Sequence, residues 1–390
     1  MCDVITRPES TSRRSFLRAA ATAAGGAAVL AGCVSTGTPP LPDARTARTA
    51  AARSRTRLVL LGTAAGRSWS GGSDRQGISS AVVVGDAVYL VDCGDGWGRR
   101  YLQAGLGQRR TGLGLENLAA VFITHLHSDH VVGLSPLVAF GPTDGLGSRA
   151  RPVAMFGPGG RGSLAPLAGE AGAEPSVINR ENPTPGLADT VEYLYSALAA
   201  DLNDNIRDSL KPDPHALLRV RDIELPDGLD VRPDTDPAPR MDPFVVFEDD
   251  RVRVRATLVH HPPAFPAFGY RFDTEDGSVV FSGDTSACDN LVQLAAGADV
   301  LVHEVIDPQW VDRLLPAPRT PEQQAKRDHL IRSHTPVGEV GPLAERAGVK
   351  ALVLTHLSPT DNPRERWLTA GNGFSGRLVV GDDLLQVGVG

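Results

Sequence analysis

The chain contains 390 residues, of which 41% are hydrophobic and 5% aromatic, and its formal net charge is −7 at pH 7. This acidic total argues against a nucleic-acid-binding protein, because such proteins usually present a basic face to the phosphates. Four cysteines are too few for a disulfide framework, and no two of them form the C-x-x-C pattern of a cysteine zinc site.

The first 32 residues do not look like part of a folded domain. Residues 12–18, with the sequence SRRSFLR, are similar to a twin-arginine export signal, and the run at 19–32 is too short and too weakly apolar to span a bilayer. Residues 30–33 resemble a lipobox in which Cys33 would carry the lipid; the alternative is an incidental cysteine after an ordinary signal. We expect a signal peptide at 1–32, a flexible linker at 33–56 and an exported protein that is lipid-anchored to the outer face of the cell membrane.

Residues 57–390 are long enough for one large or two modest domains. Apolar runs at 57–63, 78–84 and 87–92 predict strands, and the Gly-Asp pair at 85–86 predicts a tight turn between the last two. The folded part therefore begins with a β-hairpin next to a further strand.

Three histidines and an aspartate follow a short apolar strand that ends at Thr124. They form the pattern H-x-H-x-D-H, which consists of His125, His127, Asp129 and His130. The C-terminal ends of strands are where α/β sheets usually keep their chemistry, and imidazole with carboxylate is a ligand set of zinc and related metals. The pattern predicts a metal site, in preference to a surface turn that is histidine-rich by chance.

The T-H-L-H-S-D-H segment at 124–130 resembles the signature of the metallo-β-lactamase superfamily. The wider sequence is most similar to the ribonuclease Z-like branch, which includes enzymes of the alkyl- and aryl-sulfatase type. The resemblance implies an α/β fold, the αββα sandwich, with a pair of metal ions at one edge of its two sheets.

Residues 140–250 would be an insertion between the second and third metal motifs of this family. An insertion of this length usually shapes the access of substrate. Within it we expect a strand at 153–156, a helix at 190–201 and an irregular loop at 225–243.

Two more motifs of the family have counterparts here. His260 and His261 precede an F-G-Y-R strand, where the family has a ligand. Neighbouring side chains of an extended chain point to opposite faces, so only one of the two can reach the ions; His261 is the predicted ligand and His260 the alternative. Asp284, in an S-G-D-T segment, would bridge both ions unless it belongs to an ordinary Gly-Asp turn.

The last part of the chain supplies one more ligand and a proton donor. A strand at 350–355 leads to His356, at the last ligand position of the family. His334 follows a predicted helix at 321–332 and resembles the histidine that protonates the leaving group, a role that suits the near-neutral pKa of imidazole. A surface histidine next to a helix is the alternative for His334.

Several other polar residues have less specific assignments. Asp92 and the His303-Glu304 pair resemble positions that orient ligands by hydrogen bonding, although a plain strand-to-helix cap explains Asp92 equally well. His329 is expected on the surface of the predicted helix, and His215 has no assignment.

The resemblance implies two Zn²⁺ ions, with Mn²⁺ or Fe as alternatives. The seven predicted ligands divide into a first-ion set, a second-ion set and a bridge: His125, His127 and His261; Asp129, His130 and His356; and Asp284. A hydroxide between the two ions would be available near neutral pH and would attack the substrate. Asp129 and His334 are the predicted catalytic residues, Asp129 as a ligand as well and His334 as the proton donor.

These assignments predict an exported binuclear zinc hydrolase of a small anionic ester, such as an aryl sulfate or a phosphodiester. A ribonuclease Z-like endonuclease that processes tRNA 3′ ends is the alternative, and a non-catalytic metal-binding protein of the same fold is a second one. Nucleic acid is disfavoured because loss of residues 1–32 would change the net charge from −7 to −9, and because the insertion lacks the basic Gly/Pro-rich arm with which ribonuclease Z grips tRNA. The oligomeric state is open, with a homodimer among the options.

Overall fold

The computed structural model describes residues 51, 53–107, 114–167 and 175–390. The predicted signal peptide at 1–32 and the predicted lipidation site Cys33 lie outside the described residues, as does most of the predicted linker at 33–56. None of the helices in the described ranges combines the length and the apolar character that crossing a membrane requires.

Two sheets of seven strands form the centre of the described part. In chain order its strands are β1 (Thr56–Gly62), β2 (Ser79–Val84), β3 (Ala87–Val91), β4 (Leu118–Phe122), β5 (Val153–Pro158), β6 (Leu218–Ile223), β7 (Phe244–Glu248), β8 (Arg253–Leu258), β9 (Phe268–Asp273), β10 (Ser278–Phe281), β11 (Val300–Ile306), β12 (Ala351–Ser358), β13 (Arg377–Val380) and β14 (Gln386–Gly388). Its α-helices are α1 (Trp97–Gln103), α2 (Ser128–Val131), α3 (Leu134–Phe140), α4 (Leu187–Ala197), α5 (Ala199–Arg207), α6 (Asp289–Leu294), α7 (Pro308–Leu314), α8 (Pro321–Ser333), α9 (Val337–Ala347) and α10 (Arg364–Leu368).

Each sheet joins an antiparallel half to a parallel half. The first sheet has the strand order β14-β1-β2-β3-β4-β5-β6, antiparallel from β14 to β3 and parallel from β3 to β6. The second has the order β13-β12-β11-β10-β9-β8-β7, antiparallel from β7 to β10 and parallel from β10 to β13. The predicted hairpin is the pair β2–β3, and it turns at Gly85, whose φ of 63° is the left-handed conformation that glycine adopts without strain.

The two sheets pack face to face, and helices cover their outer faces. Alternate side chains of β1 enter different cores: Leu58 and Leu60 lie between the sheets, whereas Val59 and Leu61 lie between the first sheet and its helices. A third core lies between the second sheet and helices that include α6 and α9. Strands buried on both faces are apolar throughout, which is why the runs at 57–63 and 350–355 show no alternation. The predicted αββα sandwich is confirmed.

Residues 140–250 are built into the sandwich. Strand β5 confirms the strand expected at 153–156, and β6 forms the edge of the first sheet next to it. The helix expected at 190–201 is instead two helices, α4 and α5, because the backbone leaves the helical conformation at Leu198. Apolar spacing continues across that break, so periodicity alone could not reveal it. The stretch at 225–243 has no helix or extended strand, as expected.

Candidate metal centre

The H-x-H-x-D-H segment begins just beyond the end of β4. The Thr124 amide donates to the Asp92 carboxylate at 2.8 Å, which fixes the chain where it leaves the sheet. His127 then has an extended backbone and directly precedes the single-turn helix α2, so that Asp129 and His130 lie in the helical turn. This strand–turn–helix geometry turns the four polar residues toward the second sheet.

The second sheet supplies Asp284 at the end of β10. The turn before Asp284 requires Gly283, which has φ of +59° and whose added Cβ would lie 2.7 Å from the carbonyl oxygen of Phe268. A larger residue would therefore push the two neighbouring strands apart or displace Asp284.

A β-bulge positions His356 within β12. Thr355 and His356 together lie opposite Glu304 alone on β11, so the register shifts by one residue at this point. His356 has φ of 44°, a left-handed backbone that costs a non-glycine residue about 1–3 kcal/mol and is common at functional sites. Bulges re-aim side chains, and this one directs His356 toward the centre.

The Asp284 carboxylate lies among the predicted ligands of both ions. Its Oδ2 is 3.2 Å from His356 Nε2, 3.4 Å from His130 Nε2, and 3.8 Å from both His125 Nε2 and His261 Nε2. A carboxylate in this position can bind an ion on either side, as the predicted bridge requires.

The two remaining predicted ligands close the cluster. His127 Nδ1 lies 3.1 Å from His261 Nε2, and Asp129 Oδ2 lies 3.2 Å from His356 Nε2. Three groups of side chains offer ligand atoms within 4.8 Å of one another: His125, His127, His261 and Asp284; Asp129, His130 and His356; and Asp284, His334 and His356. All seven predicted ligands are thus brought together.

The donor atoms fit a divalent cation. His125 Nε2, His130 Nε2 and Asp284 Oδ1 are buried and have no hydrogen-bond partner among the described residues. Buried polar atoms are normally paired, so three orphaned atoms aimed into one cluster need a ligand to satisfy them. Imidazole nitrogen and carboxylate oxygen are the donors that zinc, manganese and iron accept.

The pKa values of two of the histidine ligands and of the bridging aspartate suit metal binding. Burial lowers the pKa of His125 and His261 well below the usual value, so both imidazoles are neutral and keep a lone pair for a cation. Burial alone would raise the pKa of Asp284, but His356 and His130 outweigh burial and hold it well below the usual value. The carboxylate is therefore ionised.

Two ligands are oriented by hydrogen bonds from outside the cluster. Asp92 Oδ2 lies 2.9 Å from His130 Nδ1, which matches the role expected for Asp92, and Asp92 itself has φ of 59°. His261 Nδ1 donates to the carbonyl oxygen of Ser333 at 2.6 Å. A hydrogen bond at Nδ1 fixes the ring and leaves Nε2 free to face the metal.

His334 lies at the edge of the cluster, just beyond the end of α8. Glu304 Oε1 is 3.2 Å from His334 Nδ1 and also accepts from the amides of Thr285 and Thr335. Burial alone would lower the pKa of His334, but the Glu304 carboxylate and then Asp284 outweigh it and raise this pKa to about 9. Glu304 thus orients His334, as expected for the H-E segment.

His329 is closer to the centre than predicted. It is half-buried, its Nδ1 lies 3.3 Å from Ser333 Oγ, and its ring centroid lies 6.4 Å from that of His334. Burial and then His334 lower its pKa to about 4. The predicted position on the helix surface is wrong, because residues four apart on a helix share a face and Ser333 faces the cluster.

Three other histidines do not join these groups of possible metal ligands. His260 turns away and bonds Ser286 Oγ through Nδ1 at 2.7 Å, so the choice of His261 over His260 agrees with the geometry. His303 is buried with Nδ1 against the carbonyl oxygen of Glu304. His215 lies on the insertion beside Asp213.

One contact of the centre comes from a segment for which the sequence predicted no role. In the loop between β1 and β2, the Gly66 amide donates to Asp129 Oδ2 at 2.8 Å. The sequence GRSWSGG at 66–72 places a tryptophan between glycines, a signal that could have pointed to an exposed aromatic beside the metal motif.

The fold and the cluster together define a metal-dependent hydrolase. The sequence model of the metallo-beta-lactamase superfamily matches residues 74–314, and the chain belongs to that superfamily. The ribonuclease Z of Mycobacterium bovis is 33% identical over 320 residues, which cover 81% of this chain and 93% of that protein. The ribonuclease Z of Mycobacterium marinum is 30% identical over 319 residues, with the same coverage.

Two crystal structures share the fold. Human tRNase Z, short form, has a TM-score of 0.53 and 18% identity, covering 86% of this chain and 99% of its own. The metallo-beta-lactamase fold protein YhfI from Bacillus subtilis has a TM-score of 0.52 and 16% identity, covering 85% and 98%. At such identities these structures support the fold alone.

The prediction of a hydrolase for small esters of the aryl sulfate or phosphodiester class is wrong. The relatives at 30–33% identity are ribonucleases Z, the enzymes that the sequence analysis held as the alternative. Metal motifs specify the chemistry of the superfamily and leave the substrate open, so they could not decide between the two.

The prediction against a nucleic-acid partner is also wrong, since the relatives are nucleases by name. A summed net charge does not describe a local surface, because charges separated by more than about 8–10 Å are screened at ordinary ionic strength. Several acidic residues here are also paired with basic side chains, as in the ion pairs Arg75–Asp382 and Lys350–Asp299. The argument from a missing arm is outweighed by relatives that are 30–33% identical over 93% of their own length.

Proposed function

We propose that this protein is a ribonuclease Z-type endonuclease that cleaves a phosphodiester bond at the 3′ end of precursor tRNA with two divalent metal ions, preferentially zinc. The observation that carries the proposal is the convergence of seven metal-ligand side chains around Asp284 in a chain that is 33% identical to ribonuclease Z. The first group, His125, His127 and His261, would hold one ion; the second, Asp129, His130 and His356, would hold the other; Asp284 would contact both.

When bound, divalent ions supply Lewis-acid chemistry that activates water and neutralises negative charge on the phosphate. The chain's own task is to hold the ligands rigidly. Asp92 fixes the ring of His130, and the Ser333 carbonyl fixes that of His261, so that both keep Nε2 directed into the centre.

His334 is the proposed proton donor. Its Nδ1 faces Glu304 at 3.2 Å, and its ring stacks on that of His356 with a centroid distance of 5.7 Å. The Nδ1–H bond to Glu304 leaves the proton on Nε2 for the leaving oxygen, so cleavage would need no free hydronium ion.

The test is cleavage of a precursor tRNA with a 3′ trailer by the purified, zinc-loaded protein, with the cut position mapped by sequencing. We expect one cut at the 3′ side of the acceptor stem and about two metal ions per chain by elemental analysis. A protein that binds metal but leaves the trailer intact would overturn the proposal and favour a non-catalytic role.

We also propose export and lipid anchoring at Cys33, which rest on residues 12–18 and 30–33. An exported enzyme would meet RNA outside the cytoplasm, so location decides which RNA it can reach. Fractionation of cells that express the full chain should place it in the membrane fraction, and Cys33→Ala should release it. Recovery of the unmodified chain in the cytosol would contradict both ideas.

A further inference from the structure

The loop between β1 and β2, residues 63–78, passes beside the metal centre, and two of its hydrogen bonds hold residues 66–68 there. The Gly66 amide donates to Asp129 Oδ2 at 2.8 Å, and Ser68 Oγ donates to Asp95. The position of this loop is therefore tied directly to a proposed metal ligand.

Trp69 extends from this loop into solvent. Its side chain is 82% exposed, whereas Trp97 and Trp367 are buried in the cores. Tryptophan is a large apolar side chain whose burial usually contributes to stability, so an exposed indole next to a reactive centre indicates a binding role.

A cavity of about 290 Å³ is lined both by Trp69 and by the proposed metal ligand Asp129. Trp69 and the half-exposed Val132 contribute its apolar lining. This volume is near the lower limit of small-ligand pockets, about 300–1,000 Å³, so it suits one planar group and not a folded partner.

The charges around the cavity favour a base inside it and phosphate outside. Asp95 lines the cavity and would repel a phosphate group, whereas the charge of Asp129 would be neutralised by the metal ion that it holds. Arg67 is exposed, and its guanidinium makes no ion pair or side-chain hydrogen bond with other described residues, so it is available to a phosphate at the rim.

From this geometry we infer that Trp69 is the stacking platform for a nucleobase next to the scissile phosphodiester, with Arg67 contacting a neighbouring phosphate. This rests on the proposed nuclease function and adds the residues that bind the unpaired end of the RNA. Aromatic stacking accepts any base, so the platform would recognise single-stranded RNA without selecting a sequence.

The test compares Trp69→Ala, Trp69→Phe and the control Tyr193→Ala in cleavage of a precursor with a single-stranded trailer. Tyr193 is also an exposed aromatic, but it lies on α4 and does not line the cavity. We expect Trp69→Ala to raise KM about tenfold to 100-fold, Trp69→Phe to stay within about threefold, and Tyr193→Ala to match the wild type.

An abasic nucleotide on either side of the scissile bond locates the contact. At one of the two positions, the abasic precursor should bind the wild type as weakly as the intact precursor binds Trp69→Ala. The same abasic precursor should bind Trp69→Ala no more weakly than the intact one does, because both changes remove the same stack. Equal abasic penalties in the wild type and Trp69→Ala at both positions would overturn the inference.

A binding measurement separates this inference from the proposed function. In zinc-loaded protein, a single-stranded oligonucleotide without an acceptor stem should quench indole fluorescence, and Trp69→Phe should abolish that quenching. The inference about Trp69 would be contradicted if quenching persisted in Trp69→Phe, or if the wild type showed no quenching. Failure of the wild type to cut any precursor contradicts the nuclease itself.

Discussion

The metal centre and the rim around it differ in how their side chains are held. In the centre, His125, His261 and Asp284 are buried and fixed at the ends of strands from both sheets. On the rim, Trp69 is largely exposed and lies on the loop at 63–78. The difference indicates that the centre determines the chemistry, whereas the rim determines which substrate reaches it.

Asp284→Ala should have the largest effect, because it removes the carboxylate that lies within 3.2–3.8 Å of histidines from both ligand sets. We expect cleavage of precursor tRNA to fall by more than about 1000-fold and the metal content to drop. Asp250→Ala removes an exposed carboxylate and is the control, with unchanged activity and metal. Full metal content in Asp284→Ala would show that the centre is assembled differently.

His334→Gln should lower kcat by about 100-fold or more and leave the metal content unchanged, because His334 would donate a proton and is not one of the seven ligands. His260→Gln is the matched control, since His260 bonds Ser286 and lies outside the cluster. Steady-state kinetics and elemental analysis decide. Loss of metal in His334→Gln would make His334 a ligand, as the third group of neighbouring donors allows.

Asp92→Asn should have a smaller effect, confined to metal affinity. The carboxylate holds His130 through a 2.9 Å hydrogen bond, and loss of such an outer partner typically weakens metal binding about tenfold to 100-fold. Competition with a zinc-chelating dye measures this change, and Asp250→Asn is the control. An unchanged affinity would mean that the backbone alone orients His130.

The centre was predictable from sequence to the extent that short-range spacing determines it. The H-x-H-x-D-H pattern identified four ligands, and the alternation of side chains in an extended chain limited His260 and His261 to one ligand, which the structure places at the predicted His261. The bulge at His356 was not predictable, because it depends on how two distant strands pair.

The regions outside the centre were predicted less well for a related reason. The helix break at Leu198 and the position of His329 near the cluster depend on tertiary packing that periodicity does not encode. The similarity to nucleases was not anticipated because net charge was used in place of a local surface.

His215 provides the smallest prediction and the clearest contrast with the buried histidines. Its hydrogen bond to Asp213, 2.7 Å from Nδ1 to Oδ1, outweighs burial and raises the pKa of His215. A pKa raised in the folded state means that protonated His215 stabilises the fold below its unfolded value of about 6.5, and that this contribution is lost as pH rises through the folded pKa. The ring is half-exposed, so screening by solvent limits the contribution to less than about 0.5 kcal/mol.

His215→Gln should therefore lower the free energy of unfolding slightly at about pH 5.5 and have no effect at about pH 9, as measured by urea denaturation at the two pH values. Cleavage activity should stay at the wild-type level, because His215 belongs to none of the groups of possible metal ligands. A stability difference that is the same at both pH values would assign the role of His215 to packing on Tyr195, whose ring centroid lies 4.2 Å away, and not to charge. A loss of activity would instead extend the functional surface from the metal centre to the insertion, and the division between centre and rim would have to be redrawn.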